Sequence, residues 1–155
     1  MEQQFAGLHN VIVRDCETLG YERIDAEIAS IAIAALRQEG FDAGFVYFGD
    51  IDDADHIFGL PGEEYRDAIR RVDAHVKNVL AEISRRIDEL REDWLVGITS
   101  DHGHLDEGGH GGTTDRGRES WTITWRLHGE LPKWTEEIAP HELAELMLAE
   151  RRALR

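Results

Sequence analysis

Between residues 63 and 90 apolar side chains recur at three- and four-residue intervals without a break. Tyr65, Ile69, Val72, Val76, Val79, Leu80, Ile83, Ile87 and Leu90 make one stripe. Arg70, Arg71, Lys77, Arg85 and Arg86 stand among acids on the other side. This period predicts one long amphipathic helix with the arginines on its solvated face. Two short apolar runs bracket it, Phe45–Phe48 and Trp94–Thr99. A helical connection of that length between two strands is a crossover, which joins parallel neighbours and not a hairpin. The pattern therefore favours an α/β layered domain with a largely parallel sheet.

The remaining elements fit that frame. Ile24, Ile28, Ile31, Ala32, Ala35 and Leu36 predict a helix from Glu22 to Leu36, with Gly40 as its C-terminal cap. Phe45–Phe48 is continuously apolar between Gly44 and Gly49, as in a strand buried on both faces. Asp50 to Gly62 reads as a loop ending in Pro61-Gly62. Trp121–Trp125 alternates and is rich in β-formers, which suits a third strand near an edge. Pro140 opens a last helix through Leu148. His9 to Val13 reads as a short strand or a loop. The 155 residues fit one domain, 1–155, with a core of its own.

Both bracketing runs end in residues that bind metals. After the first come Gly49-Asp50-Ile51-Asp52-Asp53-Ala54-Asp55-His56. Asp52 and His56 are four apart, so one helical turn places them on the same face. After the second come Ser100-Asp101-His102-Gly103-His104-Leu105-Asp106-Glu107-Gly108-Gly109-His110-Gly111-Gly112. Asp101 and His102 are adjacent at a strand end, and glycines around His110 let the backbone approach closely. Carboxylate and imidazole together suit zinc or another first-row divalent ion. Two such loops would build a two-metal site able to clamp phosphoryl oxygens. Loops at the carboxyl ends of strands are also where open α/β sheets bind ligands.

Charge narrows the partners. Thirty-two acidic residues against 17 basic leave a net charge of −15, which argues against nucleic-acid duplexes and anionic membranes. Bound divalent ions can still invert the local field for a phosphate substrate. Cys16 is the only cysteine, so no intrachain disulfide forms. The first residues show no signal-peptide pattern and the longest apolar stretch, Ile28–Leu36, is too short for a bilayer, so a cytoplasmic protein is expected.

The strand followed by Thr99-Ser100-Asp101-His102-Gly103 and then His110-Gly111-Gly112 resembles the alkaline phosphatase superfamily, in its type I phosphodiesterase/nucleotide pyrophosphatase branch. Val46 to Gly59 is similar to that family's strand followed by Asp-x-x-Gly-His, and Glu64 to Leu80 to the helix linking its two metal loops. The resemblance covers residues 25–150. It implies a partial α/β/α sandwich and two divalent ions, usually zinc, with manganese in some relatives. Asp52, His56 and His110 would hold one ion; Asp101 and His102 would hold the other. With three ligands against two, one tight site and one weak or empty site are expected.

The implied reaction is hydrolysis of phosphate esters or phosphoanhydrides, with a phosphorylated small molecule or nucleotide as partner. Phosphomutase, phosphonate hydrolase and sulfatase chemistries share these metal loops. Asp55 stands where the family has glycine before the histidine, placing an extra carboxylate beside the site. His104 is a candidate for orienting a ligand from behind. The family's nucleophile, a Thr or Ser opening a helix after an Asp-bearing strand, has no good counterpart; Asp15-Cys16-Glu17-Thr18 is the nearest stretch. The chain thus reads as the C-terminal half of such a domain, expected to pair with an N-terminal half or with itself. A non-catalytic metal-binding α/β module is the alternative. His75, His128 and His141 read as structural.

Overall fold

The computed structural model describes residues 10–38, 42–59, 62–105 and 108–153. His9, Gly40, Pro61, Asp106 and Glu107, each given a place above, lie outside the described residues. The elements run α1 (Cys16–Leu19), α2 (Tyr21–Leu36), α3 (Asp50–Phe58), α4 (Glu63–Leu90), β1 (Trp94–Thr99), α5 (Asp115–Arg118), β2 (Thr122–Leu127) and α6 (Pro140–Ala153). No described helix is long and apolar enough to cross a membrane.

Helix α4 spans 28 residues with the bounds its period predicts. Its stripe packs against α2: Leu36, Ile83 and Ile87 are buried together, with Val79, Leu80, Trp94 and Val96 half-buried around them. Ile69 and Leu90 of the stripe remain exposed. Arg86, expected on the solvated face, is instead 2 % exposed. The reason is local demand for donors. Its guanidinium donates to the carbonyl oxygens of Leu36, the last residue of α2, and of Gln38 just beyond it, and pairs with Glu92. The orphan carbonyls of one helix end are thus satisfied by a charge from another helix. Helix α4 itself ends at Arg91, a non-glycine residue in the left-handed region at φ 57°.

Three expectations are corrected. The sheet is not largely parallel: among the described residues it has two strands, β1 and β2, paired antiparallel from Trp94 opposite Leu127 to Thr99 opposite Thr122. The third predicted strand exists but is shifted to Thr122–Leu127. Phe45–Phe48 is not a buried strand. It is unpaired and open, with Phe45 87 % exposed, because no described strand lies beside it to take its hydrogen bonds. The expected loop from Asp50 is mostly the helix α3. Asp50, Asp52 and Asp53 fill its first turn, where carboxylates complement the helix dipole.

The carboxylate of Asp25, on α2, does what the Gly49 position cannot. Its two oxygens accept from the backbone N–H of Gly49 (3.1 Å) and Asp50 (2.9 Å), capping α3 from a distant helix. Asp25 is 1 % exposed, and this burial raises its pKa above the ordinary aspartate value, with those two N–H groups opposing the rise. On the sheet side, Gly97 of β1 admits Met147 of α6: a Cβ there would stand 3.2 Å from the Met147 sulfur. The product is a mixed helix-and-strand domain in which α3 and the loop after β1 are brought face to face.

Candidate metal centre

Helix α3 supplies the floor of the site. Asp52 and His56 are one turn apart, and His56 Nε2 lies 3.6 Å from Asp52 Oδ1. Asp50, two residues earlier, is anchored to α4 by Arg71, whose Nε and Nη2 reach Oδ2 and Oδ1 at 2.7 and 3.1 Å. This fork holds the start of α3 against α4.

The loop after β1 supplies the roof. It closes on itself through Gly108 N–H to the Leu105 carbonyl and Leu105 N–H to the Gly109 carbonyl, both 3.0 Å. Glycine is required at two points of close approach. A Cβ on Gly103 would collide with the carbonyl oxygen of Arg116. Gly108, at φ 90°, lies against the end of α3, where a Cβ would stand 3.1 Å from the Gly59 Cα and 3.2 Å from the Asp55 carbonyl oxygen.

Four imidazoles converge on one atom. The Nε2 atoms of His56, His102, His104 and His110 lie 3.6, 3.9, 3.6 and 3.5 Å from Oδ1 of Asp52. That oxygen is buried and has no hydrogen-bond partner, although 32 % of the Asp52 side chain is exposed. Asp52, His102 and His110 each offer a ligand atom within 4.8 Å of the other two. The rings pack on one another, His102 against His110 at 3.8 Å and His56 edge-on to His110 at 4.9 Å between centroids. The Nδ1 of His102 lies 3.2 Å from the Gly103 carbonyl oxygen, which can only accept. That assigns the proton to Nδ1 and leaves a lone pair on Nε2.

An unpaired buried carboxylate oxygen faced by imidazole nitrogens is costly as it stands. One cation among them satisfies oxygen and nitrogens together. The donor set, one carboxylate with imidazoles, is that of zinc or another first-row divalent ion.

Asp52, His56, His102 and His110 come together. Asp101 stands at the rim, 68 % exposed, with Oδ1 3.7 Å from His102 Nε2. His102 Nε2 thus lies between the two carboxylates, 3.7 Å from Asp101 and 3.9 Å from Asp52, where the resemblance assigns it to an ion apart from Asp52 and His110. His104 is not behind the ring but in it, and Asp55 is fully buried beneath it. Two tyrosines also border the site and carry no sequence signal for it. Burial and then the charges of Asp101 and Asp52 push the Tyr47 phenol up; burial and then Asp55 and Asp52 do the same to Tyr65. His75 is stacked on Phe48 at 5.9 Å between centroids.

A model of the type I phosphodiesterase/nucleotide pyrophosphatase family matches residues 13–113, a span that contains α3, the loop after β1 through His110, and the helix α4 between them. The chain belongs to that family. No solved structure matches it.

Proposed function

We propose that this family member is a divalent-metal-dependent hydrolase of phosphate esters or phosphoanhydrides, acting on a phosphorylated small molecule or nucleotide. The observation that carries the reading is the buried, unpartnered Oδ1 of Asp52, faced by four imidazole Nε2 atoms. Asp52, His102 and His110 would hold a tight ion, with His56 beside them. Asp101 at the rim adds a carboxylate for a second ion, held more weakly because it has fewer donors. Zinc suits the donors best, and manganese is the other candidate. When bound, such ions supply Lewis-acid charge and a water made acidic enough to attack at neutral pH.

The chain's own residues bind and orient. The exposed Asp101 side chain and the borders at Tyr47 and Tyr65 leave the rim polar, as a phosphate ester requires. Phe45 and Val46, both exposed, offer an apolar strip for a second copy of the chain, which we propose as partner.

A non-catalytic metal-binding module is the second reading, and one observation favours it. The two hydroxyls that open the second loop take part in hydrogen bonds: Thr99 Oγ1 donates to the Trp121 carbonyl at 2.9 Å, and Ser100 Oγ accepts from the Trp121 N–H at 3.3 Å. Assay of the purified chain with bis-p-nitrophenyl phosphate and zinc separates the readings. Turnover lost in Asp52→Asn supports the hydrolase. A folded, zinc-loaded chain without turnover supports the module.

A further inference from the structure

Asp55 and His104 are 49 residues apart in sequence, yet Asp55 Oδ2 lies 2.5 Å from His104 Nδ1. The same oxygen accepts from the Gly109 N–H, also at 2.5 Å. Asp55 is 0 % exposed and its other oxygen, Oδ1, is buried without a hydrogen-bond partner. The side chain of His104 is 13 % exposed. Against a carboxylate that also accepts from a backbone N–H, His104 Nδ1 is the donor. Its Nε2 then carries the lone pair, and that atom is 3.6 Å from Asp52 Oδ1.

A buried carboxylate that fixes the tautomer and direction of an imidazole is the arrangement found behind metal-binding histidines. The position of Asp55 matters too. The resemblance places a glycine there, and a glycine would leave both the His104 ring and the Gly109 N–H without this acceptor.

We propose that His104 is a direct ligand of the ion organised by Asp52, and that Asp55 is its positioning residue. The inference rests on the reading that the cluster binds a divalent ion. It adds one imidazole to the donors that the resemblance implies, and it assigns the extra carboxylate beneath the site to that imidazole. In this chain Asp55 and His104 act as one unit, so removing either weakens the same bond to the metal.

The test uses the full chain with zinc, cobalt(II) and cadmium-113 as probes. Zinc calorimetry on the unaltered chain comes first; absence of binding would sink the metal reading itself. Given binding, His104→Gln is expected to weaken zinc affinity and to change the visible absorption of the cobalt-loaded chain, which reports the donor set. Asp55→Asn is expected to weaken zinc binding about 10–100-fold. A direct readout needs no variant: in the cadmium-113 form, the Nε2 of His104 should show coupling to the metal nucleus by nitrogen-15 NMR. Metal coupling to His102 and His110 but not to His104 would overturn the inference and leave the metal reading intact. So would a cobalt spectrum and zinc affinity unchanged in folded His104→Gln.

Discussion

Arg71 grips Asp50 with two hydrogen bonds, and through that grip α4 fixes the helix that carries Asp52 and Asp55. Asp50 is 5 % exposed, and this arginine is its ion-pair partner. Arg71→Ala leaves a buried carboxylate unpaired. Because the arginine is itself 35 % exposed, the expected loss is below that of a fully buried pair, about 1–3 kcal/mol. Urea denaturation measures it, and Arg71→Lys should recover only part, since lysine lacks the fork.

Metal should stabilise the fold. At a free zinc concentration 100 times the dissociation constant, binding adds about 2.7 kcal/mol to unfolding. Thermal melts with zinc and with a chelator should differ accordingly. Asp52→Asn should erase that difference while leaving the chelated melt nearly unchanged or slightly raised, because the unpartnered oxygen is no longer charged.

Gly103→Ala should disturb the site without touching a ligand. The added methyl meets the Arg116 carbonyl oxygen and would stand 2.9 Å from that of Glu119. Backbone cannot rotate away as a side chain can. A loss of about 1–3 kcal/mol is expected, with weaker zinc binding because His102 and His104 flank the displaced residue. Calorimetry and a melt on the same sample check both.

Acid should act through the arginine-paired carboxylates. Hydrogen bonds from Arg86 hold the Glu92 carboxyl below its ordinary value of 4.5, Arg85 and Arg37 do so for Glu82, and Arg126 does so for Asp93. A lowered folded pKa means the unfolded chain binds the proton first. The stability these groups contribute is therefore complete above about pH 4.5 and drains away as pH falls through their lowered values. Glu92→Gln should lower stability at pH 7 by about 1–3 kcal/mol and flatten the fall below pH 4.5. Urea midpoints from pH 7 downward test the slope.

What could be read in advance follows the range of the forces. The bounds of α4 and β1 were legible because period and caps are local. So was the meeting of Asp52 with His56, one turn apart. Helix α3 was not legible, because its cap is the side chain of Asp25, 24 residues before Gly49. The burial of Arg86 was hidden for the same reason: its acceptors lie on another helix, 48 to 50 residues away. Phe45–Phe48 misled in the opposite sense. Its composition asks for a buried strand, but burial needs a neighbour, and composition does not supply one. The pairing of Asp55 with His104 is a tertiary fact that no spacing rule reaches, although the Asp at that place was visible as a departure from the family pattern.

The separation of Asp55 from His104 by 49 residues also orders events in time. Helix α4 fills 28 of those positions, and the contacts that reward closing so long a loop arrive only when β1 has docked. As a chain lengthens, Asp52, Asp55 and His56 of α3 emerge well before His102, His104 and His110, which face them in the folded structure. A partly made or partly unfolded chain therefore has the α3 side of the candidate site without the histidines of the loop after β1. An ion captured between the two would mark a molecule whose folding is complete.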